Sequence, residues 1–384
     1  MIQARLAKRT NAITASATLA LNARAKQLAS TGHTVYNLTA GELSIETPPY
    51  IRSAVATKLN QNKYSPVNGL PELRQAIANH ARKFYGLNWI EPENVVVTGG
   101  AKPAIYAALL SLIDPGDEVI VPTPAWVSYI DLISLAGGRT VNPPLTEKYD
   151  LDVNAIKAAV TAKTKAIIIN SPHNPTGAVF SKSAIDQLAK ALRHTEITLI
   201  SDDIYTRLIF SQKIALAASA NFKSTVIING FSKSQALTGW RIGYLIANQA
   251  ISATATSLLS HITGNAPLPS QYAALAALSR GDQPPKAVVN QLLRNRSLAL
   301  NRLSEIPEIK HNQPDGAFYI FLDLRQITSS SLDWCEALLN NTGVALVPGD
   351  AFMAPGFARL TFAGNPKELA TAIDRIKQFV KKSS

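Results

Sequence analysis

Cysteine is almost missing: Cys335 is the only one in 384 residues. A lone thiol closes no internal disulfide and has no partner for a cysteine-rich metal site, so a reducing compartment, the cytoplasm, is expected and Cys335 reads as packing. Long apolar runs are missing too. None reaches the ~18 residues that a membrane helix needs. The basic start MIQARLAKRTN leads into AITASATLALNARAKQLA, whose polar interruptions read as an amphipathic helix and not as an apolar secretory segment. Acidic residues are scarce beside basic ones, 26 against 38, which leaves a net charge of +12. The Lys and Arg residues are nevertheless scattered, and no basic run is interleaved with aromatics. Nucleic acid is therefore not an expected partner, and the surplus reads as a solvated surface that favours anionic small molecules. Internal repeats, low-complexity segments and the spaced glycine fingerprints of dinucleotide and nucleoside-triphosphate sites are all lacking.

What is present is an ordinary globular composition, 46% hydrophobic and 17% charged. At about 150 residues per domain, the length points to two domains. From about residue 95 to 250, short β-branched runs alternate with helical stretches: VVVT, DEVIVP, TKAIIIN, ITLIS, STVIIN and RIGYLIA. Continuous apolar strands of this kind are covered on both faces, so a mostly parallel sheet flanked by helices is expected, with function in the loops at the strands' C-terminal ends. After a helical region around 252–306, GAFYIFLDL, GVALVPG and ARLTFA flank one helical stretch, and PKELATAIDRIKQFVKK closes the chain as an amphipathic helix. The expected division is 46–284 as a large α/β domain and 285–384 as a smaller α+β domain, with 1–45 packing on the latter.

The segment FSKSQALTGWRIGY puts Lys233 and Arg241 among small and apolar neighbours, directly after the strand-like TVIING. Burial disfavours an ammonium, so Lys233 offers a neutral amine, a nucleophile for carbonyls. A guanidinium at Arg241 wants a fixed anion such as phosphate. Together they suggest a phosphorylated aldehyde, although each alone also reads as a snorkelling cation or a simple ion pair. Upstream, VVVTGGAKPAIYAALLSLI is a strand, a glycine turn and a helix. There the N–H groups of Gly100, Ala101 and Lys102 form an anion site, unless the glycines serve packing only. IIINSPHNPTG places Asn174 at the sheet edge, and LISDDIY offers Asp202 and Tyr205 one strand later. Adjacent acids at a strand end also serve as turn caps. A carboxylate facing a pyridinium nitrogen is, equally, what a pyridoxal cofactor requires.

NSPHNPTG, SDDIY, FSKS, GWRIGY and ARLTFA, in this order and spacing, resemble the class I aminotransferases, enzymes of pyridoxal-phosphate fold type I. The likeness runs from SATLALNARAKQLAS to the last helix and is nearest to bacterial aspartate aminotransferases, which also show KYSPVNGLPELR-like segments and a GGxK-type turn. The resemblance implies that pyridoxal 5'-phosphate forms a Schiff base with Lys233, which later moves the substrate's α-proton. It places Asp202 on the pyridine nitrogen, Tyr205 and Asn174 on the ring oxygen and Trp126 stacked on the ring. The phosphate would fall to Arg241, Ser232 and the Gly100, Ala101, Lys102 turn. Tyr64 would reach the cofactor of a neighbouring subunit, which implies a homodimer with shared sites. Arg359 would clamp the substrate α-carboxylate, Gly41 would let the backbone approach it, and Lys102 would meet the distal carboxylate of a dicarboxylic substrate.

Two departures bear on specificity. The segment written AGEPDF in that group reads AGELSI here, with Leu43, Ser44 and Ile45 changed, and HITGNAPLPSQ is unusual for a loop that contributes to the pocket. Aromatic amino acids therefore stand as alternative substrates, and a lyase acting on C–S bonds as an alternative reaction on the same fold. A non-catalytic sensor of pyridoxal phosphate is the reading from another class. Such a sensor is expected to carry a DNA-binding module before the aminotransferase-like part, and it has no need of the retained lysine, aspartate and two arginines.

Overall fold

The structure, a computed structural model, describes residues 17–210, 214–281 and 284–383. The basic N-terminal stretch and the start of the helix expected after it lie outside the described residues. The helix itself runs Ala17–Ser30.

Seven strands form the main sheet, in the order Val95–Thr98, Gly243–Ile246, Thr225–Gly230, Thr198–Asp202, Thr164–Asn170, Glu118–Ile120 and Arg139–Val141. All run parallel except Gly243–Ile246, which is antiparallel to both neighbours. The expected α/β architecture is therefore present, with one reversed strand in a mostly parallel sheet. Both faces are covered because successive side chains alternate. Ile168, Ile200 and Val226 pack with helices Ala101–Leu112 and Gln249–Ile262, whereas Val97, Ile227 and Ile246 pack with helices Pro49–Ala56, Pro71–Tyr85 and Leu268–Leu278. Strand Arg139–Val141 went unseen in the sequence: it is three residues at the sheet edge, its arginine is exposed, and it offers no apolar run.

The helical region expected around 252–306 is three helices, Gln249–Ile262, Leu268–Leu278 and Lys286–Leu303. Gly264, at φ 68°, ends the first. Pro267 and Pro285 sit at the N-caps of the other two, where a missing N–H costs nothing.

A second, antiparallel sheet follows the order Val347–Pro348, Phe357–Thr361, Tyr319–Asp323 and Lys310–His311. The N-terminal segment joins it. Tyr36–Asn37 pairs in parallel with Val344–Ala345, and the Thr361 N–H donates to the Leu38 carbonyl. Closing helix Pro366–Ser383 buries Leu369, Ala372, Ile373, Ile376 and Val380, the stripe its periodicity announces. The hydrophobic cluster beneath this sheet also takes in Leu43, Ile204, Tyr205 and Ala236, so side chains of both sheets' loops meet in one core. Cys335 lies there, fully buried, and burial pushes its thiol pKa up. Among the described residues no helix is long and apolar enough to cross a membrane, and no group of three His, Cys, Asp or Glu is placed to hold a metal.

Candidate active site

The reversed strand matters to the site. Because Gly243–Ile246 runs against its neighbours, its N-terminal end lies at the same sheet edge as the C-terminal ends of the parallel strands. Gly243 is paired there with both Gly230 and Thr98. Lys233, three residues beyond Gly230, and Arg241, two before Gly243, are thereby brought to the glycine turn at Gly100. The fit is close: a Cβ on Gly100 would lie 2.8 Å from an Arg241 guanidinium nitrogen, and one on Gly243 would lie 2.7 Å from the Ala101 nitrogen. Gly100 itself sits at φ 110°, a conformation that a side chain strains.

One sequence expectation needs correction at this turn. The Gly100 N–H donates to the Thr98 carbonyl at 2.8 Å, so it is not a third free donor. The first N–H groups of the helix, those of Ala101 and Lys102, have no intrahelical acceptor and point to the anion end. Ser232 is buried, and the exposed Arg241 donates from Nη1 to the Thr238 carbonyl at 3.3 Å while its Nη2 lies beside Gly100.

Asp202 ends its strand paired with Asn170 and is 3% exposed. Burial pushes its carboxyl up to about 6, while the Tyr129 hydroxyl, the Ile204 N–H and the Lys233 charge pull the other way. Tyr129 donates to Asp202 Oδ2 at 2.5 Å. Asn170 ties the next loop in place: its amide donates to the Asp202 carbonyl at 2.8 Å, and its oxygen accepts the Asn174 N–H at 2.9 Å.

Lys233 Nζ donates to the Gly41 carbonyl and lies 5.9 Å from the Phe318 ring. Burial first, and then the positive charge of Arg359, lower its pKa to about 8, against a smaller opposing pull from Glu42. The direction of this shift favours the neutral amine.

Arg359, on strand Phe357–Thr361, is 3% exposed. Its Nη1 donates to Asn174 Oδ1 at 2.9 Å and its Nη2 to the Thr39 carbonyl at 2.7 Å, while Nε has no hydrogen-bond partner. The Tyr319 and Phe352 rings lie 4.4 and 5.0 Å from the guanidinium. Among the described residues no acidic side chain pairs with it. A buried guanidinium without an anion is costly, and it is placed to take one from solution. Gly41 leaves room alongside: a Cβ there would lie 2.7 Å from the Tyr319 hydroxyl and 3.9 Å from Lys233 Nζ.

Trp126 is half-buried and meets Tyr129 edge to face at 5.2 Å between centroids. The Lys102 ammonium lies 5.0 Å from the Trp126 ring, so it covers the tryptophan and does not merely trail into solvent. Tyr64, by contrast, is 97% exposed and far from being a packing aromatic within this chain. The sequence reading missed Tyr129 and Tyr319. Tyr319 faces Arg359 and shares a hydrogen bond of 2.9 Å with the Tyr205 hydroxyl, and its signal in the sequence, one tyrosine in GAFYIFLDL, is no different from that of a core aromatic.

A half-buried amine of lowered pKa, an ionisable carboxyl on the adjacent strand, a helix-start anion cradle and a buried guanidinium without an acidic partner suit an amino-group chemistry on a carboxylate substrate. A model of the aminotransferase class I and II family matches residues 33–376, and the chain belongs to that family. Within it the chain is similar to the aspartate aminotransferase of Thermotoga maritima, 39% identical over 98% of this chain and 99% of that one. It is also 38% identical to that of Bacillus subtilis, over 99% of this chain and 100% of that one. The solved structure of Thermus thermophilus aspartate aminotransferase with maleate superposes with a TM-score of 0.93 at 35% identity, covering 98% of this chain and all of that chain.

Proposed function

We propose that this aminotransferase exchanges the amino group of aspartate or glutamate with 2-oxoglutarate or oxaloacetate, using pyridoxal 5'-phosphate held on Lys233. The observation that carries the proposal is the buried, anion-free Arg359 electrostatically coupled to an amine whose pKa is lowered to about 8. The residues suit the cofactor. The cradle that a Cβ on Gly100 would fill, the unpaired helix N–H groups of Ala101 and Lys102, Ser232 and Arg241 match a phosphate. Asp202 suits a pyridine nitrogen, Trp126 a ring face, and Tyr205 and Asn174 a ring oxygen.

When bound, pyridoxal phosphate supplies an aldehyde that condenses with amines and a ring that withdraws electrons from the substrate's Cα. Arg359 presents two N–H groups to the α-carboxylate and so aims the Cα–H bond toward Lys233 Nζ. Lys233, when unbonded, takes that proton as a general base with a pKa near the working pH. Asp202, whose charged form the Tyr129 hydroxyl favours, would hold a proton on the cofactor's pyridine nitrogen. Tyr129→Phe removes the donor, raises the Asp202 pKa further and is expected to lower kcat about tenfold, from the loss of a hydrogen bond to a charged group. An unchanged pH profile of kcat would contradict that role.

Support for a dicarboxylic substrate comes from Lys102, from the names of the two relatives and from the maleate of the Thermus structure. Lys102→Ala is expected to lower kcat/KM for aspartate and glutamate by about 10 to 100-fold, the worth of one charge-assisted contact, and to leave alanine and phenylalanine unaffected. Equal losses for aspartate and phenylalanine would remove Lys102 from the specificity pocket. The proposal includes a cytoplasmic homodimer, in which the exposed Tyr64 reaches the partner's site, and two domains, 46–284 and 285–384, with the N-terminal segment on the second.

A further inference from the structure

Two acids stand side by side at the sheet edge, and only Asp202 has a task in the reaction. Strand alternation turns Asp203 to the opposite face. There it is 2% exposed, and among the described residues no basic side chain pairs with it. Its Oδ1 accepts a hydrogen bond from Ser201 at 2.7 Å, and its Oδ2 has no partner at all. Such a group is expensive to bury for packing alone. Several polar groups face it. Tyr85, at the end of helix Pro71–Tyr85, and Tyr244, on the reversed strand, face it, and the Asn229 amide donates to the Tyr85 hydroxyl at 3.3 Å. Tyr85, Tyr244 and Asn229 line a small cavity with Arg207, Ser234 and Gln235, and the last two directly follow Lys233 in the chain. His80 is the remaining titratable group of that cavity. The lysine-bearing turn is thus backed by this cluster as well as faced by Asp202.

We propose that Asp203 is a positioning residue for amino-group transfer: a second carboxylate, behind the sheet, whose charge sets how firmly Asp202 and the lysine-bound site hold their protons. The inference rests on the pyridoxal-phosphate reading above. Burial raises the Asp203 carboxyl to about 7, against the hydrogen bond from Ser201 and the pull of the nearby Tyr85 hydroxyl, and the Asp202 charge raises it further. Asp203 therefore gains its charge within the neutral range. Once ionised, it raises the affinity for a proton of every group close to it, Asp202 first.

The same shift has a signature that needs no cofactor. A carboxyl at about 7 in the fold and 3.8 when unfolded binds its proton more tightly in the native state. Its contribution to stability is whole below pH about 4 and is lost as the pH rises through about 7. Asp203→Asn is expected to flatten that part of the stability profile, measured by urea unfolding of the cofactor-free protein. An Asn variant with the wild-type slope between pH 4 and 7 would show that Asp203 does not titrate there and would overturn the proposal.

The deciding experiment is the pH titration of the visible absorbance of the pyridoxal-phosphate-loaded protein. Asp203→Asn, which keeps the shape and removes the charge, is expected to move the midpoint down by about 0.5 unit, while Asp203→Glu keeps it near the wild-type value. A purely structural role would leave the midpoint in place. A normal wild-type titration with an unmoved Asn variant sinks this proposal alone, whereas a wild-type protein without any visible band sinks the functional reading on which it rests. Should Asp203→Asn not fold, Tyr85→Phe retains the carboxyl, takes away the nearby hydroxyl that favours its charged form and delays its charge to higher pH. The midpoint is then expected to move in the same direction by a smaller amount, and no movement would overturn the proposal.

Discussion

Lys233→Ala is expected to abolish both the visible absorbance of the pyridoxal-phosphate-loaded protein and its turnover, the latter by at least about 10⁴-fold. The loss is large because, in the proposed reaction, one nitrogen both holds the cofactor and moves the Cα proton. A second signature comes from the charge. With a folded pKa near 8 against 10.5 unfolded, Lys233 binds its proton less tightly in the native state, so the stability of the cofactor-free protein rises with pH across that window. Lys233→Met removes the half-buried ammonium and is expected to raise the thermal midpoint at pH 7, a difference that closes as the pH passes 10.5. Retention of the visible band by the Ala variant would refute the assignment of Lys233.

Arg359→Leu is expected to lower kcat/KM for every amino acid by about 10² to 10³-fold, mostly through KM, because the α-carboxylate is common to all substrates. The geometry makes the effect general. Asn174 and the Thr39 carbonyl hold the guanidinium from one side, the Tyr319 and Phe352 rings lie against it, and Nε is left without a hydrogen-bond partner. Arg359→Lys keeps the charge and loses the planar fork, so it is expected to recover only part of the loss. Steady-state kinetics with alanine decides the matter: a wild-type KM for an amino acid with no second carboxylate would mean that Arg359 does not bind the α-carboxylate.

The strands and the loops that carry Asn174, Asp202, Lys233 and Arg359 were legible because each is local: an apolar run, then a turn bearing a polar residue. The reversed orientation of Gly243–Ile246 was not, since GWRIGYLIA reads alike in either direction and only its two neighbours in the sheet fix its sense. Likewise Tyr129 meets Asp202 across 73 residues, and Tyr205 meets Tyr319 across 114. No spacing rule links such positions, and each tyrosine alone looks like core. Asp202 and Asp203 were indistinguishable as neighbours in SDDIY, and the pleat that separates them is visible only when the flanking helices show what each face meets.

The most direct test of the account is to load the protein with pyridoxal phosphate, record its visible absorbance and add aspartate, then 2-oxoglutarate. Loss of the band with aspartate and its return with the 2-oxo acid is the expected result, with glutamate acting likewise and alanine, phenylalanine and tyrosine poorly. A protein that stays colourless with the cofactor, or is coloured and inert to all five amino acids, would contradict amino-group transfer at Lys233.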